Sequence, residues 1–391
     1  MKILQIHNQY FFKGGEDTVV DNEKKILIKN KHKVIQLIRK NNLEIKSFIQ
    51  KIKIGFNVIY SNQSKKIIFQ KLQEIKPDVV HIHNIFPLWT YSVVDVCNDL
   101  KIPVILTIHN YRLICAKGTF YRNNNICEKC FKGSLYNSII NSCYQNSLIK
   151  TIPVALMIKK YNKGLYLINK IHKFIVLTSF AKKKLLEANF PKNKIIIKPN
   201  FINKIQVTNG LKKKSSFLYA SRLSEEKGLL DLIYAHKKFQ FDLTICGDGP
   251  LRDVLSSNKQ IKYLGFLNKK KLYKKLNETK FLLFPSKWYE GFPMIILEAF
   301  AHNVLVIASN LGSVSSIIKH KYNGLLFEPS NTEDLIKQIK WALSNEKKCN
   351  EIRVKAKKIL DKKYGEKNNY KKLLSIYENS IKKNKNNKLF N

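Results

Sequence analysis

The chain has 391 residues, 44% hydrophobic and 11% aromatic, which gives it enough apolar side chain for two globular domains and excludes a disordered or fibrous chain. No run approaches the roughly 18 apolar residues of a membrane span, and the apolar patch of MKILQIHNQYFFKGG is too short for a signal peptide. The formal net charge of +43 does not read as specific nucleic-acid recognition: it is carried by lysines scattered among Asn and Ile, arginine stands only at 39, 112, 122, 222, 252 and 353, and no nucleic-acid module is recognisable. Attraction to an anionic membrane, at roughly 1 kcal/mol per lysine near the surface, is a better use of it.

In chain order, Lys2 to Ile6 reads as a first strand and is followed by a helix through about Asn30. Gly14 and Gly15 allow a tight strand-to-helix turn that brings backbone amides and Glu16 to the top of a sheet. HKVIQLI, 32 to 38, is the second strand. Residues 39 to 76 are lysine-rich and helix-prone, with Ile45, Phe48, Ile49 and Ile52 at helical spacing, which suits either a helix covering the sheet or one docking on a membrane. PDVVHIHN and PVILTIHNYR are buried-strand patterns ending in polar residues: His83 and Asn84 close the first, and His109 stands just past the second. A lone histidine is most often a core residue. Two such strands ending in His-Asn, as His7-Asn8 also does, point to a shared crevice at the carboxyl ends of a sheet.

Cys115, Cys127, Cys130 and Cys143 come next, spaced C-x11-C-x2-C-x12-C. They could hold a structural zinc, remain reduced and unliganded, or pair in a redox role. Seven cysteines in all, an odd number, argue against a disulfide framework. The segment 148 to 170 is apolar, basic and helical, a place to meet an acceptor or a membrane. KFIVLTSFAKKKL gives another strand and a helix from about Ser179, and KIIIKPNFI, 194 to 202, closes the first domain at Pro199-Asn200.

The alternation then restarts. FLYASRLSEEKGLLDLI gives a strand, a loop with Arg222 and Lys227, and a helix after Gly228; two cations at such a turn suit a diphosphate. FDLTICGDGPLRDVL reads as strand, turn at Gly247, and helix. IKYLGFL places Gly265 and Phe266 at the next strand end, where a base could stack. In FLLFPSKWYEGFPMIILEAFAHNVLVIAS, a strand and loop lead into a helix from Met294 whose first position Pro293 suits; a last strand follows. The exposed N–H groups of that helix start form an anion site, which Gly291 lets a ligand approach. Glu290 and Glu298 bracket it. Carboxylates repel phosphate but accept hydrogen bonds from hydroxyls, so the ligand carries both phosphate and polyol, as a nucleotide sugar does. The basic tail from 332 reads as mostly helix.

The E-x7-E spacing of Glu290 and Glu298 resembles the signature of family 4 retaining glycosyltransferases. ASRLSEEKG is similar to that family's phosphate element, CGDGP to its Gly-rich turn, KYLGF to its base-pocket strand, KPNFI to its interdomain hinge and TIHNYR to its T-x-H-D segment. The resemblance implies an α/β GT-B fold of two Rossmann-like, doubly wound domains facing across a cleft. We divide the chain into 1–203, with a cysteine-bearing insertion at 113–147, then 204–370, and a basic tail at 371–391.

The resemblance further implies roles. Arg222 and Lys227 would bind the donor diphosphate; Glu298 would hold the ribose. Glu290, with Gly291, Phe292 and Pro293, would orient the donor sugar, His109 would contact it, and the Gly14-Gly15 loop would close over the diphosphate. Asn200, Gly247, Gly265 and Phe266 complete the donor side; Glu16, His83 and Asn84 lie on the acceptor side. Catalysis would need no metal, leaving zinc a structural role at most. The sequence departs from the family at Asn110, Ser221 and Phe201-Ile202-Asn203, which bears on donor subclass.

The expected activity is transfer from a UDP- or GDP-sugar to a lipid-linked or glycan acceptor on the cytoplasmic face of the membrane. The alternatives are a soluble enzyme making a small glycoside or glucan, and a nucleic-acid or anionic-membrane binding protein with a vestigial site.

Overall fold

The computed structural model describes residues 1–9, 14–40, 57–163, 166–203, 214–256, 258 and 260–389. The helical positions Ile45, Phe48, Ile49 and Ile52 lie outside the described residues, as do 164–165 of the apolar segment and most of the linker after Asn203. The chain forms two compact units. The N-terminal unit comprises Met1–Phe120, Cys127–Pro199 and the chain from Asn369 onward; the C-terminal unit comprises Tyr121–Ile126 and Asn200–Asn368. The division thus falls at 199/200, beside the Pro-Asn step, and the terminal residues group with the first unit.

In the N-terminal unit, β1 (Lys2–Gln9), β2 (Lys33–Lys40), β3 (Val79–Asn84) and β4 (Val104–Ile108) form a parallel sheet with two later strands. Antiparallel β5 (Tyr121–Arg122) and β6 (Asn125–Ile126) make a separate hairpin. With β7 (Lys173–Val176) and β8 (Ile195–Ile197) the sheet runs β2-β1-β3-β4-β7-β8. β3 and β4 are buried along their whole length, the mark of a parallel sheet covered on both faces. Helices begin where the sequence supplies caps: Thr178 accepts the N–H of Ala181 at 3.1 Å ahead of the Ser179–Glu187 helix, a bond contributing about 1 kcal/mol. The chain moves one way from β1 to β2 and the other way from β1 to β3, so the switch in strand order lies between β1 and β3. Their carboxyl ends carry His7 and His83.

The C-terminal unit is a second doubly wound parallel sheet with a different strand order. β9 (Lys214–Ala220), β10 (Leu243–Cys246), β11 (Lys262–Tyr263), β12 (Thr279–Phe284), β13 (Leu305–Ser309) and β14 (Leu325–Phe327) form an all-parallel sheet ordered β11-β10-β9-β12-β13-β14. Phe217, Phe281 and Ile307 fill one face, and Leu218, Leu282 and Val306 the other, the period-2 alternation of strands. The order switches between β9 and β12, whose ends lead into the Arg222–Lys227 loop and the Pro285–Pro293 loop. Ligands of doubly wound sheets bind at such a switch.

Two local readings change. The sequence after Gly249 gives only a short 3₁₀ segment, Arg252–Leu255, where a helix was expected. Pro293 is the N-cap of the Met294–Ala301 helix rather than its first residue; its ψ of 99° is extended, so the helix starts one residue later.

Candidate active site

In the C-terminal unit the two turns at the switch point are locked together by glycines. A Cβ on Gly228, which has φ of +70°, would sit 1.9 Å from the Pro285 carbonyl oxygen; one on Gly247 would sit 1.9 Å from that of Ser221. Gly247 therefore serves loop-on-loop packing. Tyr219, buried beneath, donates its hydroxyl hydrogen to the carbonyls of Arg222 at 3.1 Å and Lys227 at 3.4 Å, fixing both ends of the cationic loop.

This framework brings Lys227 and Glu290 together. Lys227 Nζ donates to Glu290 Oε1 at 2.6 Å and lies 4.6 Å from the Trp288 ring centroid, and Ser286 Oγ donates to the same oxygen at 2.7 Å. Lys227 keeps 15% of its side chain exposed, against 8% for Glu290, so the ammonium retains donors for a ligand. Arg222 is exposed beside it. Three residues on, Pro293 caps the Met294–Ala301 helix without a side-chain hydrogen bond, leaving the first N–H groups and the positive dipole end facing outward. Glu298 accepts from Tyr273 Oη at 3.2 Å and stands 3.9 Å from Lys269 Nζ; burial raises its pKa above the usual carboxylate range. Gly291 and Phe292 are half-buried, the latter meeting the Tyr364 ring at 5.9 Å. Gly265, at φ of +65°, has open space where a Cβ would stand, and Phe266 is 77% exposed. Asn200 is buried at the start of the unit.

The N-terminal unit gathers the three His-Asn pairs at its own switch point. His83 Nδ1 lies 3.1 Å from His109 Nε2, the rings of His7 and His83 meet edge-on at 6.4 Å, and Asn84 Nδ2 donates to the Asn8 carbonyl at 3.3 Å. His7 Nε2 bonds Asp17 Oδ1 at 2.8 Å, and Asp17 Oδ2 accepts the Gly14 N–H at 2.7 Å, so the glycine turn is tied to the strand end through Asp17. Glu16 is hydrogen-bonded by Asn84; burial first, then Asp17, pushes its pKa well up. Gly15 opens the following helix, exposed. A pocket in this unit is lined by His83, Asn84, Phe86, Tyr91, His109 and Arg112, among others.

Behind these groups lies a network that joins His83 to residues the sequence reading missed or gave no role. Lys198 Nζ donates to Glu23 Oε1 at 2.6 Å with both side chains 1% exposed. Glu23 Oε2 stands 3.4 Å from His83 Nε2 and 3.7 Å from His81 Nδ1. His81 Nδ1 meets Tyr377 Oη at 2.7 Å and its Nε2 meets Thr107 Oγ1 at 2.8 Å. Burial holds the pKa of His81 and His83 well below 6.5 and that of His109 at about 3, leaving all three neutral at physiological pH. The ligand atoms of Glu23, His81 and His83 lie within 4.8 Å of one another, the spacing of a metal triad. The charge accounting opposes a metal: Lys198 already neutralises Glu23, both His81 nitrogens are engaged, and a dication would add uncompensated buried charge. Glu23 had a sequence signal, since it sits among Val19, Val20, Ile26 and Leu27 on the buried face of its helix.

Residues 14–204 match the family described as Glycosyltransferase Family 4, and residues 201–359 that described as Glycosyl transferases group 1. The chain belongs to glycosyltransferase family 4. One relative, an uncharacterized glycosyltransferase of Methanocaldococcus jannaschii, is 31% identical over 172 residues, 41% of this chain and 44% of the relative. The capsular polysaccharide biosynthesis glycosyltransferase CapH of Staphylococcus aureus is 31% identical over 188 residues, 41% of this chain and 51% of CapH. The chain thus spans about half the length of these relatives. Anabaena HepE, solved with UDP and glucose, superposes with a TM-score of 0.68 at 15% identity, covering 97% of this chain and all of that one. That likeness shows the fold, and the two doubly wound units are of the GT-B type.

Proposed function

We propose that this family 4 glycosyltransferase moves a sugar, with retention and without a metal ion, from a UDP- or GDP-sugar to a hydroxyl of a lipid-linked cell-surface polysaccharide or lipopolysaccharide intermediate. The observation that carries the donor reading is the half-open Lys227–Glu290 pair beside an uncapped helix start. Lys227, Arg222 and the helix dipole supply fixed positive charge where the leaving diphosphate gains negative charge, the task a divalent cation performs elsewhere. Glu298 accepts hydrogen bonds from ribose hydroxyls, and Glu290, held by Lys227 and Ser286, accepts them from the donor sugar. His109, neutral at physiological pH, exchanges hydrogen bonds with a sugar hydroxyl without adding charge. The UDP bound by HepE and the capsular role of CapH support this donor and acceptor class.

Thermal unfolding against UDP, GDP, ADP and CMP tests the donor site, because a ligand that binds only the native state raises the midpoint. UDP or GDP stabilises wild type, and Glu298→Ala abolishes that stabilisation. No shift of wild type with any nucleotide, or an undiminished shift in the variant, overturns the assignment.

The helices Tyr136–Ile140 and Leu148–Ile158 support a reading in which the protein docks on the cytoplasmic face of a membrane. Leu148, Ile149, Ile152 and Leu156 share one face of the longer helix and are 49, 62, 37 and 42% exposed, while Thr151, Val154, Ala155 and Ile158 on the other face are buried. Tyr136 and Ile140, 63 and 59% exposed, extend the patch. Lys132, Lys150, Lys159 and Lys160 are exposed around it, a charge complementary to anionic lipid. No helix among the described residues is long and apolar enough to cross a membrane. Wild type co-sediments with phosphatidylglycerol vesicles, and Ile149→Glu with Ile152→Glu weakens this roughly tenfold or more. Equal sedimentation of the variant, or none of wild type, removes the docking reading and favours the soluble transferase.

A further inference from the structure

Among the described residues, Glu23, His81 and His83 come within metal-ligand spacing of one another; Cys115, Cys127, Cys130 and Cys143 do not. The Glu23 group, whose charges oppose a metal, has a different use. Lys198 donates to Glu23 Oε1 at 2.6 Å, which leaves Glu23 Oε2 as a buried acceptor. That oxygen faces His83 Nε2 at 3.4 Å, the histidine and glutamate side chains being 0 and 1% exposed. Neither atom has a hydrogen-bond partner elsewhere, and the adjacent His81 is engaged at both nitrogens by Tyr377 and Thr107. At 3.4 Å the contact is long for a hydrogen bond. What acts across it is the attraction of a carboxylate oxygen for an N–H dipole where screening is weak.

A neutral imidazole has one N–H and one bare nitrogen, and burial keeps His83 and His109 neutral. The place of the proton on His83 is therefore decided by what each nitrogen faces. A bare Nε2 sets its lone pair against the carboxylate oxygen, two negative ends in a buried site; an Nε2–H turns its positive end there. With the proton on Nε2, His83 Nδ1 is bare and can only accept. Its partner, at 3.1 Å, is His109 Nε2. His109 Nε2 then carries the hydrogen, and His109 Nδ1 is bare in turn. His109 is partly exposed and lines its pocket with Phe86 and Arg112. The same helix, Gly15–Lys29, also sets a carboxylate on the histidine at the end of β1, where Asp17 Oδ1 stands 2.8 Å from His7 Nε2.

We propose that Glu23 is a positioning residue: through His83 it fixes His109 in the Nε2–H form, so that His109 meets its ligand with Nδ1 as a hydrogen-bond acceptor. Glu23 touches no ligand itself. Lys198 holds the carboxylate in place, and the two histidines pass one orientation from the helix to the pocket. A sugar hydroxyl donates to such a nitrogen, whereas an ether or carbonyl oxygen finds no donor there and is disfavoured. That consequence rests on the transferase reading; the tautomers do not.

Nitrogen NMR of the full-length protein, isotopically labelled at its histidine rings, reads the proton positions, because a bare imidazole nitrogen resonates far downfield of a protonated one. His83→Asn and His109→Asn identify the two rings among the nine histidines. In wild type at neutral pH both rings carry the proton on Nε2 and show a bare Nδ1. Glu23→Leu with Lys198→Met removes both charges together, leaving no buried ion unpaired and no side-chain polar atom at either position. The histidine pair can then take either order, and the His109 Nδ1 signal moves toward the protonated position. A proton on His109 Nδ1 in wild type, or a His109 signal that the double variant leaves unchanged, overturns the proposal. If the double variant does not fold, the wild-type spectrum decides alone. Stabilisation by UDP or GDP is read separately: its absence in wild type that shows the expected tautomers fails the transferase reading and leaves this assignment standing.

Discussion

The two units are six-stranded parallel sheets of different strand order, and each sets ionisable groups at its own switch point, but they treat charge oppositely. In the N-terminal unit Lys198 and Glu23 are each 1% exposed and enclosed by neutral histidines and Tyr377. In the C-terminal unit Lys227 keeps 15% of its side chain in solvent, and Arg222 is exposed beside it. A pair sealed from water holds its geometry but has no spare donor for a ligand, and breaking it leaves a buried charge that costs several kcal/mol. A pair at the surface is weaker and can share its cation with an incoming diphosphate. The first unit holds uncharged histidines at a fixed place, and the second keeps its cations open to solvent.

Acid breaks this comparison most strongly. His81, His83 and His109 are held neutral in the fold, with pKa values below the 6.5 of an unfolded histidine. As pH falls below 6.5 the unfolded chain gains three protons that the folded unit refuses, so this contribution is complete above pH 6.5 and is lost on acidification. Glu16 acts in the opposite sense: its pKa is raised in the fold, so the native state takes up one proton before the unfolded chain does. The histidines outnumber the carboxyl three to one, so the net effect is a loss of stability as pH falls from 6.5 to 5. Hydrogen exchange at the two pH values, corrected for intrinsic rates, should show protection of β3 and β4 falling further than that of β12 and β13. Equal losses in the two sheets would mean that the histidines are not held neutral.

The same contrast explains which parts were legible in the sequence. Strands buried on both faces read as continuous apolar runs, so the alternation and both sheets were accessible from local pattern. The residues proposed for the anion site stand out in the sequence for a similar reason: Arg222, Lys227 and Glu290 follow strand ends, where composition departs from the strand before it, and Glu298 lies in the helix that follows. The Lys198–Glu23 pair joins positions 175 residues apart, and in a chain this rich in lysine one more lysine carries no signal. Its acidic partner was detectable only as a charge on the apolar face of a helix. The helix expected after Gly249 failed because Gly249 approaches Leu223, whose carbonyl accepts the Leu251 N–H at 3.0 Å, turning the chain back on the preceding loop.

Lys227→Ala sharpens the comparison at its smaller end. The substitution removes the cation that Glu290 Oε1 contacts at 2.6 Å, while Ser286 still donates to the same oxygen at 2.7 Å and solvent reaches the vacated space. The stability cost is therefore that of a partly exposed pair, about 1 kcal/mol or less. The functional cost is larger, because a charge-assisted bond to phosphate contributes about 1.5 to 3 kcal/mol, which is roughly ten- to hundredfold in donor efficiency. Lys227→Arg should recover part of this, since it restores charge in a different shape. Initial rates against donor concentration, with circular dichroism melts of the same proteins, separate the two costs. A variant that melts several degrees lower yet transfers sugar like wild type would make Lys227–Glu290 a strut, equivalent to the buried pair of the other unit. A variant that melts almost unchanged and loses donor efficiency would establish that the two units differ in what their charges are for.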